Sequence, residues 1–320
     1  MGNLHADTKA PVSCESALFA CGLDIARQLP AAGSSLKTSE EYTRWLATHH
    51  YENFTMATYL VPRHLRQHFY NIYAYCRWSD DLGDEIGDCT RSLQLLNAWQ
   101  EELEQCYAGT MQHPVFIALR NTIDTFRIPI TPFSDLLTAF RQDQTVHRYP
   151  TWNSVMEYCI YSANPVGRLV LYLGGYSDDE RQRLSDFTCT ALQLANFWQD
   201  VARDLKKDRI YIPLDFIERH DLQESDLFQK NFDARYVALM RDLVEQTREL
   251  FHKGLPLAQS VSRDLRIDIE LFSRCGLAVL EAIESIGYNT LQQRPSLDAK
   301  TKIKLIGRAV GEQVLSYARR

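Results

Sequence analysis

Three polar residues at four-residue steps, Asn196, Asp200 and Asp204, run through a segment that is otherwise largely apolar, with Leu192, Leu194, Ala195, Phe197, Trp198 and Val201 around them. On a helix, positions four apart differ by only about 40° around the axis, so the three share one face. The apolar neighbours ask for burial. Burying carboxylates together is costly, because like charges repel and each loses its hydration. The same problem recurs at Tyr73, Arg77, Asp80, Asp81 and Asp84, which form one stripe on a predicted helix and set Asp80 and Asp84 about one turn apart. Hard cations offset both costs. Magnesium takes oxygen ligands in octahedral geometry, keeps several waters and is often completed by phosphate oxygens. Two acidic helix faces with magnesium ions between them would therefore hold a diphosphate and neutralise it as a leaving group. Spacing alone also fits a solvated helix surface, less readily for the Asn196 face with its apolar neighbours.

The rest of the chain is built to carry such helices. Only 14 of 320 residues are glycine, helix formers are plentiful, and Pro62, Pro114, Pro129, Pro132, Pro150, Pro165, Pro213, Pro256 and Pro295 mark joints. The pattern predicts helices over 39–48, 62–86, 90–108, 113–126, 132–144, 152–163, 165–175, 178–204, 213–219, 232–254, 264–288 and 298–317, and β-type alternation is rare. The expected fold is all-α: a flexible extension over 1–36 and one helical-bundle domain over 37–320.

The net charge of −6 lacks the basic excess of a nucleic-acid-binding domain, so no nucleic-acid partner is expected. Eight scattered cysteines show no zinc spacing and read as reduced thiols. No apolar run reaches the roughly 18–20 residues that span a bilayer, and no secretory signal is evident. The expected location is the cytoplasm, with transient contact with a membrane surface left open. A di-iron bundle needs two Glu-x-x-His pairs and only Glu249–His252 is found, which argues against that class.

The two stripes, YAYCRWSDDLGDE at 73–85 and LQLANFWQDVARDLKKDRIYIP at 192–213, resemble the two acidic motifs of the squalene/phytoene synthase family. The likeness keeps order and spacing from about His49 to Gln293. Within that family, HYENFTMATYLVPRHLR at 50–66 and SANPVGRLVLYL at 162–173 resemble the bacterial hydroxysqualene synthases of hopanoid biosynthesis. The resemblance implies an isoprenoid-synthase helical bundle with a central hydrophobic cavity. It implies that Asp80, Asp84, Asn196, Asp200 and Asp204 surround several magnesium ions that bridge a diphosphate. Substrate binding is expected at His50, Tyr51, Asn53, Phe54, Arg77, Tyr158, Asn164, Gln193, Arg209 and Tyr211, and catalysis at Glu52, Tyr73, Asp80 and Asp84. The implied reaction starts from presqualene diphosphate, a thirty-carbon cyclopropylcarbinyl diphosphate. It loses diphosphate, rearranges as a carbocation and is captured by water as hydroxysqualene. Conventional squalene synthases quench that cation with hydride from a nicotinamide; no nicotinamide is expected here.

Two departures favour water capture. Many relatives carry a stretch like Ser-Lys/Arg-Ser-Phe where this chain has Tyr51-Glu52-Asn53-Phe54, so a cation has become Glu52, a candidate to orient or deprotonate water. As a helix N-terminal residue Glu52 would also suit the macrodipole. Many relatives carry arginine where this chain has Gln199, and Arg77, Arg148, Lys206 and Arg209 are the candidate replacements. Around Asn164, Pro165 cannot continue the helix hydrogen bonding and Gly167 allows close approach. Phe54, Tyr70, Tyr73, Tyr158, Phe197 and Trp198 are candidates to line the cavity and meet a carbocation. Two alternatives stay open: a squalene, phytoene, dehydrosqualene or presqualene diphosphate synthase that condenses two prenyl diphosphates, and a non-catalytic helical assembly or binding protein. Both acidic faces are intact, which argues against the second. The oligomeric state is not set by these features.

Overall fold

The computed structural model describes residues 14–49 and 61–297. The predicted site residues His50, Tyr51, Glu52, Asn53 and Phe54 lie outside the described residues, as does the predicted helix over 298–317. The helices are α1 (Cys14–Phe19), α2 (Leu36–His49), α3 (Arg66–Asp84), α4 (Cys89–Ala108), α5 (Pro114–Phe126), α6 (Thr131–Gln142), α7 (Trp152–Ser162), α8 (Asn164–Leu173), α9 (Asp179–Asp204), α10 (Leu214–Arg219), α11 (Glu224–Phe228), α12 (Ala234–Gly254), α13 (Leu257–Ser260) and α14 (Arg263–Ser285). Among the described residues no strand forms, and one isolated parallel bridge joins Arg148 to Ile210. The all-α expectation holds.

Local chemistry sets the helix ends. The Asp178 side chain accepts from the Arg181 N–H and starts α9, and Asp88 does the same for α4 through Arg91. Thr151 and Ser154 close a capping box on α7. Prolines 114, 132 and 165 sit in first turns, where a missing N–H costs nothing. The helix expected from residue 62 begins only at Arg66, because Pro62 to Leu65 forms a turn in which the Leu65 N–H donates to the Pro62 carbonyl at 2.9 Å.

The expectation of a flexible extension over 1–36 needs correction over its described part, 14–36. Leu18, Leu23 and Ile25 are buried in the core, and α2 already starts at Leu36. The polar, Pro- and Gly-containing composition hid three apolar side chains that find partners only in the folded bundle.

Two large apolar clusters carry the fold. The first packs α2 to α6 around Trp78 and Trp99, whose rings stack 5.3 Å apart. The second packs α7, α9, α10, α12 and α14 around Trp198, Tyr236 and Phe251. Hydrogen bonds key each acidic helix into its cluster by the back. On α3, the Trp78 indole donates to Tyr42 Oη at 2.9 Å, and Tyr42 donates to the Ile25 carbonyl at 2.8 Å. On α9, the Trp198 indole donates to Thr247 Oγ1 at 2.8 Å. Two residues along a helix is about 200°, so Asp80 and Asp200 emerge on the sides opposite these tryptophans. No described helix is long and apolar enough to cross a membrane.

Candidate functional site

A solvent-open cavity of about 690 Å³ gathers six of the predicted residues: Asp80 and Asp84 from α3, Tyr158 from α7, Gln193 from α9, and Arg209 and Tyr211 from the connector after α9. Asp143, Ser162 and an apolar wall from α6 complete it. Neither Asp143 nor Ser162 was expected. Asp143 carried one legible signal: the apolar stripe Phe133, Leu136, Leu137 and Phe140 of α6 continues at the next helical step into this acid.

The carboxylates are spoken for by cations from several elements. Arg77 pairs with the buried Asp81 and lies 3.5 Å from Asp80. Lys207 and Arg209 reach Asp84 at 3.2 and 3.3 Å. Burial pushes the Asp80 carboxyl above its usual range, against the pull of Arg77. Burial likewise pushes Asp143 up to about 6, against the hydrogen bond it accepts from Tyr158 at 3.0 Å. Among the described residues, Asp143 Oδ1 and Ser162 Oγ are buried with no hydrogen-bond partner, so the wall carries unspent polar capacity.

The second face lies beside this cavity. Burial, then the neighbouring Asp200, pushes Asp204 up to about 7. Asp200 is gripped by both arms of the Arg294 guanidinium, which also donates to Gln199 Oε1 at 3.1 Å, while Gln199 Nε2 donates to the Pro295 carbonyl at 2.7 Å. A cation thus stands beside Gln199 and Asp200, brought from beyond α14 and not from any of the four expected residues. Arg148 instead binds Asp208 and Glu224 at 2.6 and 2.8 Å. Lys207, not Lys206, meets the first acidic face.

Other predicted residues fall elsewhere. Asn196 is exposed on α9 outside the cavity wall. Asn164 is buried and accepts from Thr190 Oγ1 at 2.8 Å, locking α8 to α9. Tyr73 packs against the first core cluster. Of the aromatic candidates Tyr158 lines the cavity, beside Tyr211, which stacks on the buried Phe197 at 3.8 Å with rings 2° from parallel and lies with it about 6 Å from Tyr158, while Trp198 is buried in the second core.

A second, solvent-open pocket, about 540 Å³ with its open mouth included, shares α9 but has almost no polar lining. Val166, Gly167 and Val170 of α8, Ser185, Thr188, Cys189 and Leu192 of α9, and Ile269 and Phe272 of α14 wall it. The α8–α9 approach requires Gly167, because a Cβ there would collide with Ser185 Oγ and Cys189 Sγ. Gln193 lines the polar cavity and its neighbour Leu192 the apolar one, so one helix serves both.

The available donors on both faces are carboxylate and amide oxygens, the type that hard divalent cations take. Among the described residues no three acidic, histidine or cysteine groups converge tightly enough to enclose an ion by themselves. A cation there would therefore need water or ligand oxygens to complete its shell, as magnesium commonly does.

The squalene/phytoene synthase family model matches residues 47–301. A hydroxysqualene synthase of Rhodopseudomonas palustris is 33% identical, over 84% of this chain and 89% of that one. A 15-cis-phytoene synthase of Synechocystis is 28% identical, over 88% of each. Among solved structures, squalene synthase HpnC from Alicyclobacillus acidocaldarius is 44% identical with a TM-score of 0.77, covering 79% of this chain and 96% of that one. A dehydrosqualene synthase solved with a ligand is 23% identical with a TM-score of 0.79, over 87% of this chain and 97% of that one, a likeness of fold.

Proposed function

The chain belongs to the squalene/phytoene synthase family, and from that premise we propose that it converts presqualene diphosphate to hydroxysqualene. The observation that carries this reading is the pair of cavities on α9, one lined by acids and cations, the other almost wholly apolar. They suit a substrate with an anionic head and a long hydrocarbon body. The 44% and 33% likenesses to a squalene synthase HpnC and a hydroxysqualene synthase, against 28% to a phytoene synthase, favour this branch of the family.

Asp80 and Asp84 on one face, and Asn196, Asp200 and Asp204 on the other, would hold magnesium, which when bound supplies positive charge to the diphosphate as its bond to carbon breaks. Arg209 lines the cavity beside Asp84 and offers further donors to phosphate oxygens. Tyr158 and the stacked Tyr211–Phe197 pair supply π faces and an oxygen toward developing positive charge on carbon. The apolar cavity keeps water from most of the hydrocarbon, so that capture is confined to one end. Glu52, outside the described residues, remains the candidate to prepare the water.

The test is incubation with presqualene diphosphate and magnesium in the absence of nicotinamide, with products read by mass spectrometry. The expected product is an alcohol that disappears when a chelator is added. A hydrocarbon formed only with a nicotinamide, or condensation of two farnesyl diphosphates as the only activity, would overturn this assignment in favour of another activity of the family.

A further inference from the structure

We propose that Asp143 is a positioning residue that sets the polarity of the Tyr158 hydroxyl, so that this oxygen presents a lone pair and not a proton to the cavity. Both residues line the acid-bearing cavity. Tyr158 is buried, and its hydroxyl donates to Asp143 Oδ2 at 3.0 Å. A phenol has one proton; once that proton is committed to a carboxylate, the oxygen can act only as an acceptor toward anything else.

The backbone that carries the carboxylate is itself held in place. Asp143 follows the last turn of α6, where its N–H donates to the Ala139 carbonyl at 2.9 Å. Its own carbonyl accepts from Arg209 Nη2 at 3.4 Å. The aromatic neighbours Tyr149, Phe197 and Tyr211 stand 5.3 to 6.1 Å from the Tyr158 ring and restrict its movement. A fixed acceptor oxygen stabilises positive charge that develops beside it and receives a hydrogen bond from an approaching water, whereas a fixed donor would oppose both. Resting on the proposed cation chemistry, this assigns Asp143 an action through Tyr158.

The test is a double-mutant cycle on the full chain with Asp143→Asn and Tyr158→Phe, measured with presqualene diphosphate and magnesium. Each single variant is expected to lower kcat by about 10²-fold with little change in KM. The double variant should be no slower than Tyr158→Phe alone, because the two act as one unit. Effects that multiply would overturn the proposal. A second readout needs no turnover: in chain labelled with [13Cζ]tyrosine, the Tyr158 resonance, identified by its loss in Tyr158→Phe, should move in Asp143→Asn. An unmoved resonance sinks the idea. Asp143→Ser, which also removes the carboxylate, takes the place of the amide variant if that one does not fold. If the wild-type chain leaves presqualene diphosphate unchanged, the proposed function fails, while the resonance still decides the Asp143–Tyr158 link.

Discussion

The two halves of α9 solve opposite problems with one helix. From Ser185 to Leu192 it presents small and apolar side chains that leave an almost wholly apolar cavity. From Gln193 to Asp204 it presents amide and carboxylate groups; Arg294 from beyond α14 answers Asp200, and Lys207 and Arg209 from the chain after α9 answer Asp84 on the neighbouring α3. The difference teaches that the polar half is assembled by long-range pairing and the apolar half by close packing. One should therefore fail through chemistry when altered, the other through shape and stability.

The largest effect is expected from the polar side. Asp80→Asn combined with Asp84→Asn should lower kcat by about 10³-fold, several kcal/mol of lost transition-state stabilisation. Stability should change little, since the ion pairs to Arg77, Lys207 and Arg209 are partly exposed. Turnover near that of the wild type would remove the α3 face from the chemistry.

The apolar side contains one anomaly that should show in stability. Asp268 of α14, next to the cavity-lining Ile269, is buried, and among the described residues neither of its carboxylate oxygens has a hydrogen-bond partner. Burial raises its carboxyl from 3.8 to about 7. The folded state therefore holds the proton more tightly than the unfolded state does. Stability from this group is present below pH 4 and is lost as pH rises toward 7, by on the order of 2–4 kcal/mol. Asp268→Asn should flatten the dependence of urea midpoint on pH between about 4 and 7. An unchanged slope would show that the carboxylate is solvated.

A smaller effect should sharpen the contrast. Val170→Phe adds bulk to the apolar wall. It should shift preference by about tenfold in kcat/KM toward a shorter prenyl diphosphate, since a few methylenes in such a pocket are worth roughly 1–3 kcal/mol. Equal losses for long and short substrates would mean that the hydrocarbon lies elsewhere.

Much of the site was legible because its logic is local. Four-residue steps put Asp80 with Asp84, and Asp200 with Asp204, without knowledge of any neighbour. Asp178 and Pro165 announced helix starts for the same reason. Arg294 carried no such signal. It lies in irregular chain after α14, and only packing brings it to Asp200, 94 residues earlier. Lys207 and Lys206 are equivalent in sequence, and the short 3-10 turn over Leu205–Lys207 decides which one reaches Asp84. Leu18 and Ile25 looked like part of a polar extension because burial is a property of what covers a residue.

By itself, the order of residues determined that the chain is all helical, where most helices begin and end, and which side chains share a face, because these depend on backbone hydrogen bonding and a 3.6-residue period. Only the tertiary structure decided that Asp143 lines the cavity, that Arg294 meets Asp200 and Gln199, and that Asn164 is held by Thr190 outside the cavity wall. Those outcomes depend on distances between segments remote in sequence, and such distances are set by the packing of the two cores rather than by any local preference.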